Sequence, residues 1–238
     1  MSEDKILKVI MVGNAPSVKG GITSVISQIM SHNWRDQNIE MSFIPTFEGG
    51  SAVNKIRTFV KGYLQLHNLC KSRKVDVVHI HMSHKGSFSR KYCIHKLCKK
   101  YGIADIIHLH SSEFVGFYEN ASENKKRRIR ELMTECNCVV ALGKEWEQRI
   151  KKIAPQAKIQ VMNNTIHIPM KCTDQNVECI KFLYLGVLVK RKGVIDLLKA
   201  IKKLKEDGIL ESGKAIFNIG GTGECELELK EYVRENSL

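Results

Sequence analysis

Short apolar runs alternate with stretches of helical period along most of the chain. Six of the runs have the length of a β-strand and lie at residues 6–12, 39–44, 75–81, 104–110, 138–142 and 158–162. Several are apolar at nearly every position, which is typical of strands that helices cover on both faces. Between them, apolar residues recur with a helical period, for example at Ile56, Phe59, Val60, Tyr63 and Leu64. The pattern predicts a doubly wound, Rossmann-like α/β domain over residues 1–168.

A second α/β unit is predicted after the polar stretch 171–178. Apolar strands at 181–185 and 215–219 are each followed by a helical pattern. Two strands and two helices bury little apolar surface for an independent domain. We therefore expect residues 169–238 to be the first part of a larger Rossmann-like domain, so that the chain is a C-terminally truncated two-domain protein.

Composition narrows the class of protein. With 43% hydrophobic and 26% charged residues, the chain can bury a full core, which argues against disorder. No apolar run reaches the roughly 18 residues that a membrane-spanning helix needs. Glu3 and Asp4 precede a first apolar run of only strand length, which is unlike a signal peptide. The sequence therefore predicts a cytoplasmic globular protein.

Positive charge is concentrated in one part of the chain. The net charge is +13, and residues 55–130 hold 17 lysines and arginines against 5 acidic residues. Such a surface attracts the phosphates of nucleic acid, of anionic lipid or of a small substrate, although solvated helix faces produce the same pattern. Nucleic acid is disfavoured, because only 7% of residues are aromatic and none interrupts the basic run 125–130.

Chemistry is expected where strands end, because open parallel sheets bind ligands beyond the carboxyl ends of their strands. The first strand is followed by the turn 13–21, which ends in Gly20 and Gly21 ahead of a predicted helix. Glycines let backbone N–H groups approach a phosphate, and a helix N-terminus favours an anion. The turn lacks the spacings of the Rossmann and Walker phosphate loops, so a plain turn is the alternative.

Two predicted strands carry histidines at alternate positions near their ends, His79 with His81 and His108 with His110. Alternation places each pair on one face of its strand. We expect no metal site, because no carboxylate neighbours either pair in sequence. His110 is the strongest candidate for a cleft-facing group, since Ser111 follows where the chain leaves the sheet. A core position suits His79 and His108 better.

Three consecutive cations, Lys190, Arg191 and Lys192, precede the predicted helix at Val194. Positive charge at a helix N-terminus is unfavourable unless an anion neutralises it. The segment therefore indicates a diphosphate site, with Lys192 nearest to the helix. A solvated loop is the alternative.

In this order, the segments resemble the retaining glycosyltransferases of family 4, which have the GT-B fold. The likeness rests on Gly20-Gly21-Ile22, His81, 107–111, 161–166, 182–186 with Lys192-Gly193, and 221–224. Val187 stands where the family usually has arginine, and Arg191 is the candidate replacement for that charge. The family's acidic Glu-x7-Glu segment would fall beyond residue 238.

The resemblance implies transfer of a sugar from a UDP- or GDP-linked donor to a glycan acceptor, with retention and without a metal ion or other cofactor. Gly20 and Gly21 would approach the donor diphosphate. Lys192, with Arg191, would bind that diphosphate as it leaves. His110 would lie near the transferred sugar and serve as the catalytic residue.

The expected acceptor is lipid-linked, in the synthesis of a surface polysaccharide or glycolipid. The basic region 55–130 would then meet an anionic membrane surface from the cytoplasmic side. The alternative is an inactive fragment or an accessory half of a split glycosyltransferase.

Overall fold

The computed structural model describes residues 5–166, 168, 170, 179–210 and 215–238. The chain packs as two units, unit 1 at Met1–His167 and unit 2 at Ile168–Leu238. Pro169 and the polar stretch 171–178 lie outside the described residues. The predicted domain boundary between residues 168 and 169 therefore stays a prediction.

Unit 1 is built on a parallel sheet of six strands. Their bounds are β1 Leu7–Asn14, β2 Ile39–Phe47, β3 Val77–Met82, β4 Ala104–Leu109, β5 Cys138–Ala141 and β6 Ile159–Val161. The strands are hydrogen-bonded in the order β2-β1-β3-β4-β5-β6, and every pair is parallel. All six strands therefore end on one edge of the sheet, which we call the carboxyl edge. The strands that the hydrophobic pattern predicted are confirmed, with small shifts at their ends.

The described helices of unit 1 follow the strands in turn. Their bounds are α1 Gly21–Ser31, α2 Ala52–Lys71, α3 Gly86–Tyr101, α4 Phe114–Glu119, α5 Glu123–Glu135 and α6 Lys144–Ile153. Local signals fix their ends: Ser51 Oγ accepts from the N–H of Asn54 at 3.2 Å to cap α2, and α3 ends at Gly102 in the left-handed region. In the part of the chain that is described, no helix combines the length and apolar composition needed to cross a membrane.

The two faces of the sheet differ in chemistry. Val78, Ile80 and Met82 of β3 belong to a large apolar cluster with residues of α2, α3, α5 and α6. The alternate residues of β3, His79 and His81, lie on the opposite face. A Cβ built on Gly13 would lie 3.5 Å from Cβ of His81 and would overlap Ile26 of α1. Helix α1 therefore covers the histidine-bearing face next to β1.

The predicted apolar stripe of α2 is only partly in the core. Phe59 and Tyr63 pack against the apolar cluster, as expected. Ile56, Val60 and Leu64 are instead exposed to solvent, because the helix turns Gly62 and its neighbours toward the sheet.

Unit 2 pairs two parallel strands, β7 Ile180–Leu185 and β8 Ala215–Gly220. Helices α7 Val194–Glu206 and α8 Glu226–Glu235 pack together over a small core. The residues of that core are Leu188, Val194, Leu198, Ile201, Cys225 and Leu229. Leu183 and Leu185 of β7 are largely exposed, so unit 2 leaves apolar strand surface uncovered.

Gly62 marks the close crossing of α2 over β2. A Cβ at this position would overlap the backbone carbonyl oxygen of Pro45 and lie 3.2 Å from Cγ2 of Ile44. Because backbone cannot yield cheaply, we expect Gly62→Ala to lower the free energy of unfolding by about 1–3 kcal/mol. Denaturant unfolding followed by circular dichroism measures the change.

Gly116 of α4 provides the matched control, since nothing lies within 4 Å of its Cβ position. Gly116→Ala should raise the free energy of unfolding by about 0.5–1 kcal/mol, because alanine is the better helix former. A Gly62→Ala variant as stable as Gly116→Ala would contradict the tight crossing.

Candidate functional site

The glycine turn opens at the carboxyl edge beside α1. Gly20 has φ +150°, a conformation that favours glycine, and Gly21 begins the helix. No atom lies within 4 Å of a Cβ position on either residue, so the backbone is accessible from outside. The groove beside the turn has a volume of about 470 Å³ and is lined by Pro16, Val18, Lys19, Gly20, Thr23, Ser24, Ser27 and Gln28. The turn can therefore admit a ligand to the first turn of α1.

Four histidines form two hydrogen-bonded pairs across the ends of β3 and β4. Nε2 of His79 lies 3.2 Å from Nδ1 of His108, and Nδ1 of His81 lies 2.9 Å from Nε2 of His110. The rings of each pair are nearly parallel, at 9° and 15°. The two pairs stack on one another, with ring centroids of His108 and His110 only 4.1 Å apart. The result is a two-layer stack of imidazoles across β3 and β4.

The histidine stack is electrically neutral at ordinary pH. Burial lowers the pKa of His79 and of His110 to about 4, with a neighbouring histidine adding to the effect at His110. Burial lowers the pKa of His108 to about 2 and that of His81 further still. A neutral imidazole has one N–H donor and one bare acceptor nitrogen. Each pair therefore shares one proton between its facing nitrogens.

The shared proton links the tautomers of His81 and His110. If His81 donates from Nδ1, the proton of His110 must reside on its own Nδ1; if His110 donates from Nε2, that of His81 must reside on Nε2. Both rings of the pair therefore carry the same tautomer. Nδ1 of His110, which makes no hydrogen bond to a described residue, is left for a ligand.

The sequence led us to expect His79 and His108 in the core and His110 in a cleft. The structure divides the four histidines differently. His81 is 1% exposed and His108 is fully buried, whereas His79 and His110 are half-buried. Each hydrogen-bonded pair thus joins one buried ring to one half-buried ring. His108 occupies the expected core position, whereas His79 is more exposed than a core position implies.

Three of the histidines lie close enough together to be compared with a metal site. One ligand atom from each of His79, His81 and His108 lies within 4.8 Å of the others. A metal binds an imidazole nitrogen in the plane of the ring, at about 2.0–2.1 Å for zinc. The planes of these rings are inclined to one another by 9–32°, and Nε2 of His79 faces Nδ1 of His108 while Nδ1 of His81 faces His110, so the nitrogens do not converge on a common point. The arrangement does not fit a metal centre, and the expected absence of one stays a prediction.

A second polar network follows the strand ends and was missed in the sequence. Nδ1 of His84 lies 2.7 Å from Oγ of Ser111, and its Nε2 lies 3.0 Å from Oε2 of Glu113. The contacts join the loop after β3 to the loop after β4 and fix the residue that follows His110. No local pattern predicts them, since 27 residues separate His84 from Ser111.

A buried lysine is hydrogen-bonded, through a threonine, to the end of β1 at the carboxyl edge, on the face of the sheet opposite the histidines. Lys91 of α3 is 2% exposed and donates to Oγ1 of Thr46, which donates to the carbonyl of Gly13 at 3.1 Å. Burial, with a smaller effect of Arg90, lowers the pKa of Lys91 to about 7. The sequence did hold a signal, because Lys91 lies three residues after the buried Phe88 on the core side of α3.

The cations of unit 2 lie at the end of β7. Lys190–Lys192 form one turn of 3-10 helix, and Gly193, at φ 73°, joins that turn to α7. Arg191 and Lys192 are exposed. Behind them, a Cβ on Gly221 would overlap the carbonyl oxygen of Gly186, so glycine is required where the two strand-end turns pack together.

The predicted site residues thus fall into two sets. Gly20, Gly21 and His110 share the carboxyl edge of unit 1. Arg191 and Lys192 belong to unit 2, at the carboxyl end of its own parallel pair.

Comparison with known proteins decides the family. The profile described as Glycosyltransferase Family 4 matches residues 37–168, which is more than half of the chain. The chain belongs to Glycosyltransferase Family 4. The resemblance seen in the sequence is therefore confirmed, and β2 to β6 with all four paired histidines lie inside the matched region of this family 4 chain.

One curated protein and two solved structures are similar to this family 4 chain. An "uncharacterized 41.2 kDa protein in cps region" of Klebsiella pneumoniae is 25% identical over 229 residues, which cover 87% of this chain and 62% of that protein. A variant of S. aureus TarM, solved with fondaparinux, alpha-GlcNAc-glycerol and UDP, aligns over 98% of this chain and 76% of its own, at 11% identity and a TM-score of 0.56. A UDP-forming trehalose-phosphate synthase from Burkholderia vietnamiensis covers 98% and 68%, at 9% identity and a TM-score of 0.52.

The structural matches confirm the predicted α/β fold of GT-B type. The chain spans about three fifths of the length of its Klebsiella relative.

The linked tautomers can be read directly by ¹⁵N NMR of the histidine rings. In the wild-type chain we expect His81 and His110 to show the same tautomer. In His81→Asp, the carboxylate only accepts, so His110 should carry its proton on Nε2, and its pKa should rise because the negative charge favours imidazolium.

His79→Asn alters the other pair and serves as the control, with the pKa of His110 expected to stay well below that in His81→Asp. If His110 kept its wild-type titration in His81→Asp, the two rings would not be hydrogen-bonded.

Proposed function

We propose that this chain acts in the transfer of a sugar from a nucleotide diphosphate sugar, UDP- or GDP-linked, to a glycan acceptor with retention at the anomeric carbon. The observation that carries the proposal is the carboxyl edge of unit 1, where the open glycine turn after β1 and the half-buried His110 after β4 both follow strand ends of a family 4 fold. The edge offers backbone N–H groups to an anion and a neutral imidazole to a hydroxyl.

Lys192 and Arg191 are proposed to bind the diphosphate in unit 2. Both cations are exposed at the end of β7, directly ahead of α7. When the bond between the anomeric carbon and the diphosphate breaks, negative charge grows on the departing oxygen. Fixed positive groups stabilise that charge and lower the barrier. The residues supply this charge themselves, so the proposed step needs no metal ion or other cofactor.

His110 is proposed to contact the transferred sugar through Nδ1. The ring is oriented by its bond to His81 at 2.9 Å and by stacking on His108. Because the ring stays neutral, its role is a directed hydrogen bond rather than the delivery of a full charge. The proton of the acceptor hydroxyl passes to the departing diphosphate as the new bond to the anomeric carbon forms.

The acceptor is proposed to be a lipid-linked glycan in the synthesis of a surface polysaccharide or glycolipid. The description of the Klebsiella relative as a protein of the cps region supports this assignment. The chain would then work in the cytoplasm at the membrane surface, with the basic residues 55–130 facing anionic lipid. We propose no nucleic acid partner.

A second candidate function is that of an accessory half that works with another polypeptide. It is favoured by unit 2, where Leu183 and Leu185 leave strand surface exposed at 71% and 79%. Such a surface is typical of an edge that a partner covers.

The diphosphate role of Lys192 is tested by calorimetric titration of UDP and GDP into the full chain. We expect one of the two to bind, and Lys192→Ala to weaken it at least about tenfold, because a charge-assisted hydrogen bond is lost. Lys199→Ala removes an equally exposed cation from α7 and should leave the affinity unchanged. Equal binding by both variants would reject the role of Lys192, and no binding by the wild type would favour the accessory half.

The role of His110 is tested by the release of nucleoside diphosphate from nucleotide sugars in the presence of glycan acceptors. We expect His110→Ala to lower kcat about a hundredfold or more and to leave the affinity for nucleoside diphosphate unchanged. His32→Ala, which removes an exposed histidine after α1, is the control. Unchanged turnover in His110→Ala would reject the assignment.

A further inference from the structure

Helix α2 exposes a continuous apolar stripe. Val53, Ile56, Val60 and Leu64 are exposed at 72%, 64%, 46% and 55%. Their spacing of three, four and four residues places them along one side of the 20-residue helix. Four large aliphatic side chains in a row are unusual on a solvated surface, where apolar residues are normally scattered.

The stripe is separate from the side of α2 that forms the core. Gly62, Leu66 and Cys70 are the buried residues of the helix. At 100° per residue, their mean direction differs from that of the stripe by about 125° around the helix axis. The helix is therefore anchored to the sheet by one side while it presents a second apolar side outward.

The charge of α2 has a single sign. The helix contains Lys55, Arg57, Lys61 and Lys71 and no aspartate or glutamate. Among the described residues, none of these four cations has an ion-pair partner. Helix α3, which packs beside α2, also lacks acidic residues. The apolar stripe thus lies in a surface of uncompensated positive charge.

A groove opens next to the stripe, near the carboxyl edge. It has a volume of about 570 Å³, and its lining includes Asn54, Arg57, Lys61 and Gln65. The carboxylate of Glu48 also lines it and accepts hydrogen bonds from Ser17 and Thr58, both at 3.3 Å. The groove therefore holds two cations, Arg57 and Lys61, against one carboxylate that is hydrogen-bonded to hydroxyl groups, so its balance of charge is positive.

We propose that α2 is a membrane-docking helix whose stripe inserts into the interface of an anionic lipid bilayer. Arg57 and Lys61 then lie at the level of the lipid phosphates. An anionic bilayer fits an aliphatic stripe with cationic flanks in two ways. Its lipid tails accept the apolar side chains, and its anionic headgroups neutralise the positive charge. A symmetric contact with a second copy would instead bring two acid-free, cationic helices together.

The docking rests on the proposed function, which has the basic residues 55–130 facing anionic lipid, and assigns that contact to α2, so that the carboxyl edge would lie where a lipid-linked acceptor is presented. Vesicle binding measures it with no sugar donor, so that docking and sugar transfer can each fail without the other.

The experiment is flotation of the full chain with vesicles of phosphatidylcholine alone and of an equal mixture with phosphatidylglycerol. We expect strong binding to the mixed vesicles only. Ile56→Ser with Leu64→Ser should lower the partition coefficient at least about tenfold, and Arg57→Gln with Lys61→Gln should lower it at least about fivefold and reduce its salt dependence. Leu227→Ser, at a residue of unit 2 that is 76% exposed, is the matched control and should bind as the wild type does.

Circular dichroism and size-exclusion chromatography of each variant distinguish a loss of docking from unfolding and from a change of oligomeric state. Equal binding to neutral and mixed vesicles, or full binding by the serine double variant, would overturn the proposal. A wild-type dimer that the serine double variant converts to a monomer would overturn it as well, because a second copy would then cover the stripe.

Discussion

The in-register parallel pairing of β3 with β4 is the constraint on which the site of unit 1 depends. Pairing sets His81 directly opposite His108, and His79 opposite Ile106. A shift of one residue would turn every side chain of one strand to the other face. The apolar alternates Ile80 and Met82 prevent such a shift, since it would expose them and bury the histidines among α2 and α3. The apolar cluster on the opposite face of the sheet therefore holds the imidazoles in place.

Burial of His81 and His108, with His79 and His110 half-buried beside them, would be costly if the imidazoles were unpaired. A buried polar group without a hydrogen bond destabilises the fold by about 1–3 kcal/mol. The pairs at 3.2 Å and 2.9 Å satisfy one nitrogen of each ring, and neutrality removes the larger cost of a buried charge. Nε2 of His81 and of His108 stay without a partner among the described residues. The two hydrogen bonds therefore lower the cost of burying the stack without removing it, while Nδ1 of His110 stays open to a ligand.

The sequence predicted what depends on local periodicity and missed what depends on register. Each strand and the alternation of its histidines follow from a few consecutive residues. The bonds from His79 to His108 and from His81 to His110 join positions 29 residues apart, and only the sheet brings them together. The network of His84 with Ser111 is hidden for the same reason. Whether Lys192 and His110 act on one donor depends on both units and stays a prediction.

The stripe of α2 shows why periodicity alone cannot assign a face to the core. The apolar residues of α2 span more than half of the helix circumference. Of the five that the helical period picked out, Phe59 and Tyr63 pack inward and Ile56, Val60 and Leu64 do not, which the sequence did not indicate. The outward-facing side of α2 differs from the side against the sheet by the positive charge that flanks it.

The cations of unit 1 are compensated in different ways on neighbouring helices. Lys96 and Lys99 of α3 pair with Glu131 and Glu135 of α5, so the α3–α5 boundary is closed within the protein. Lys91 is buried and its lowered pKa reduces its charge. On α2, by contrast, the lysines and the arginine have no acidic partner among the described residues, and the same surface is apolar. Each alone would be tolerated in water, but together they are best satisfied by a ligand surface that is both anionic and apolar.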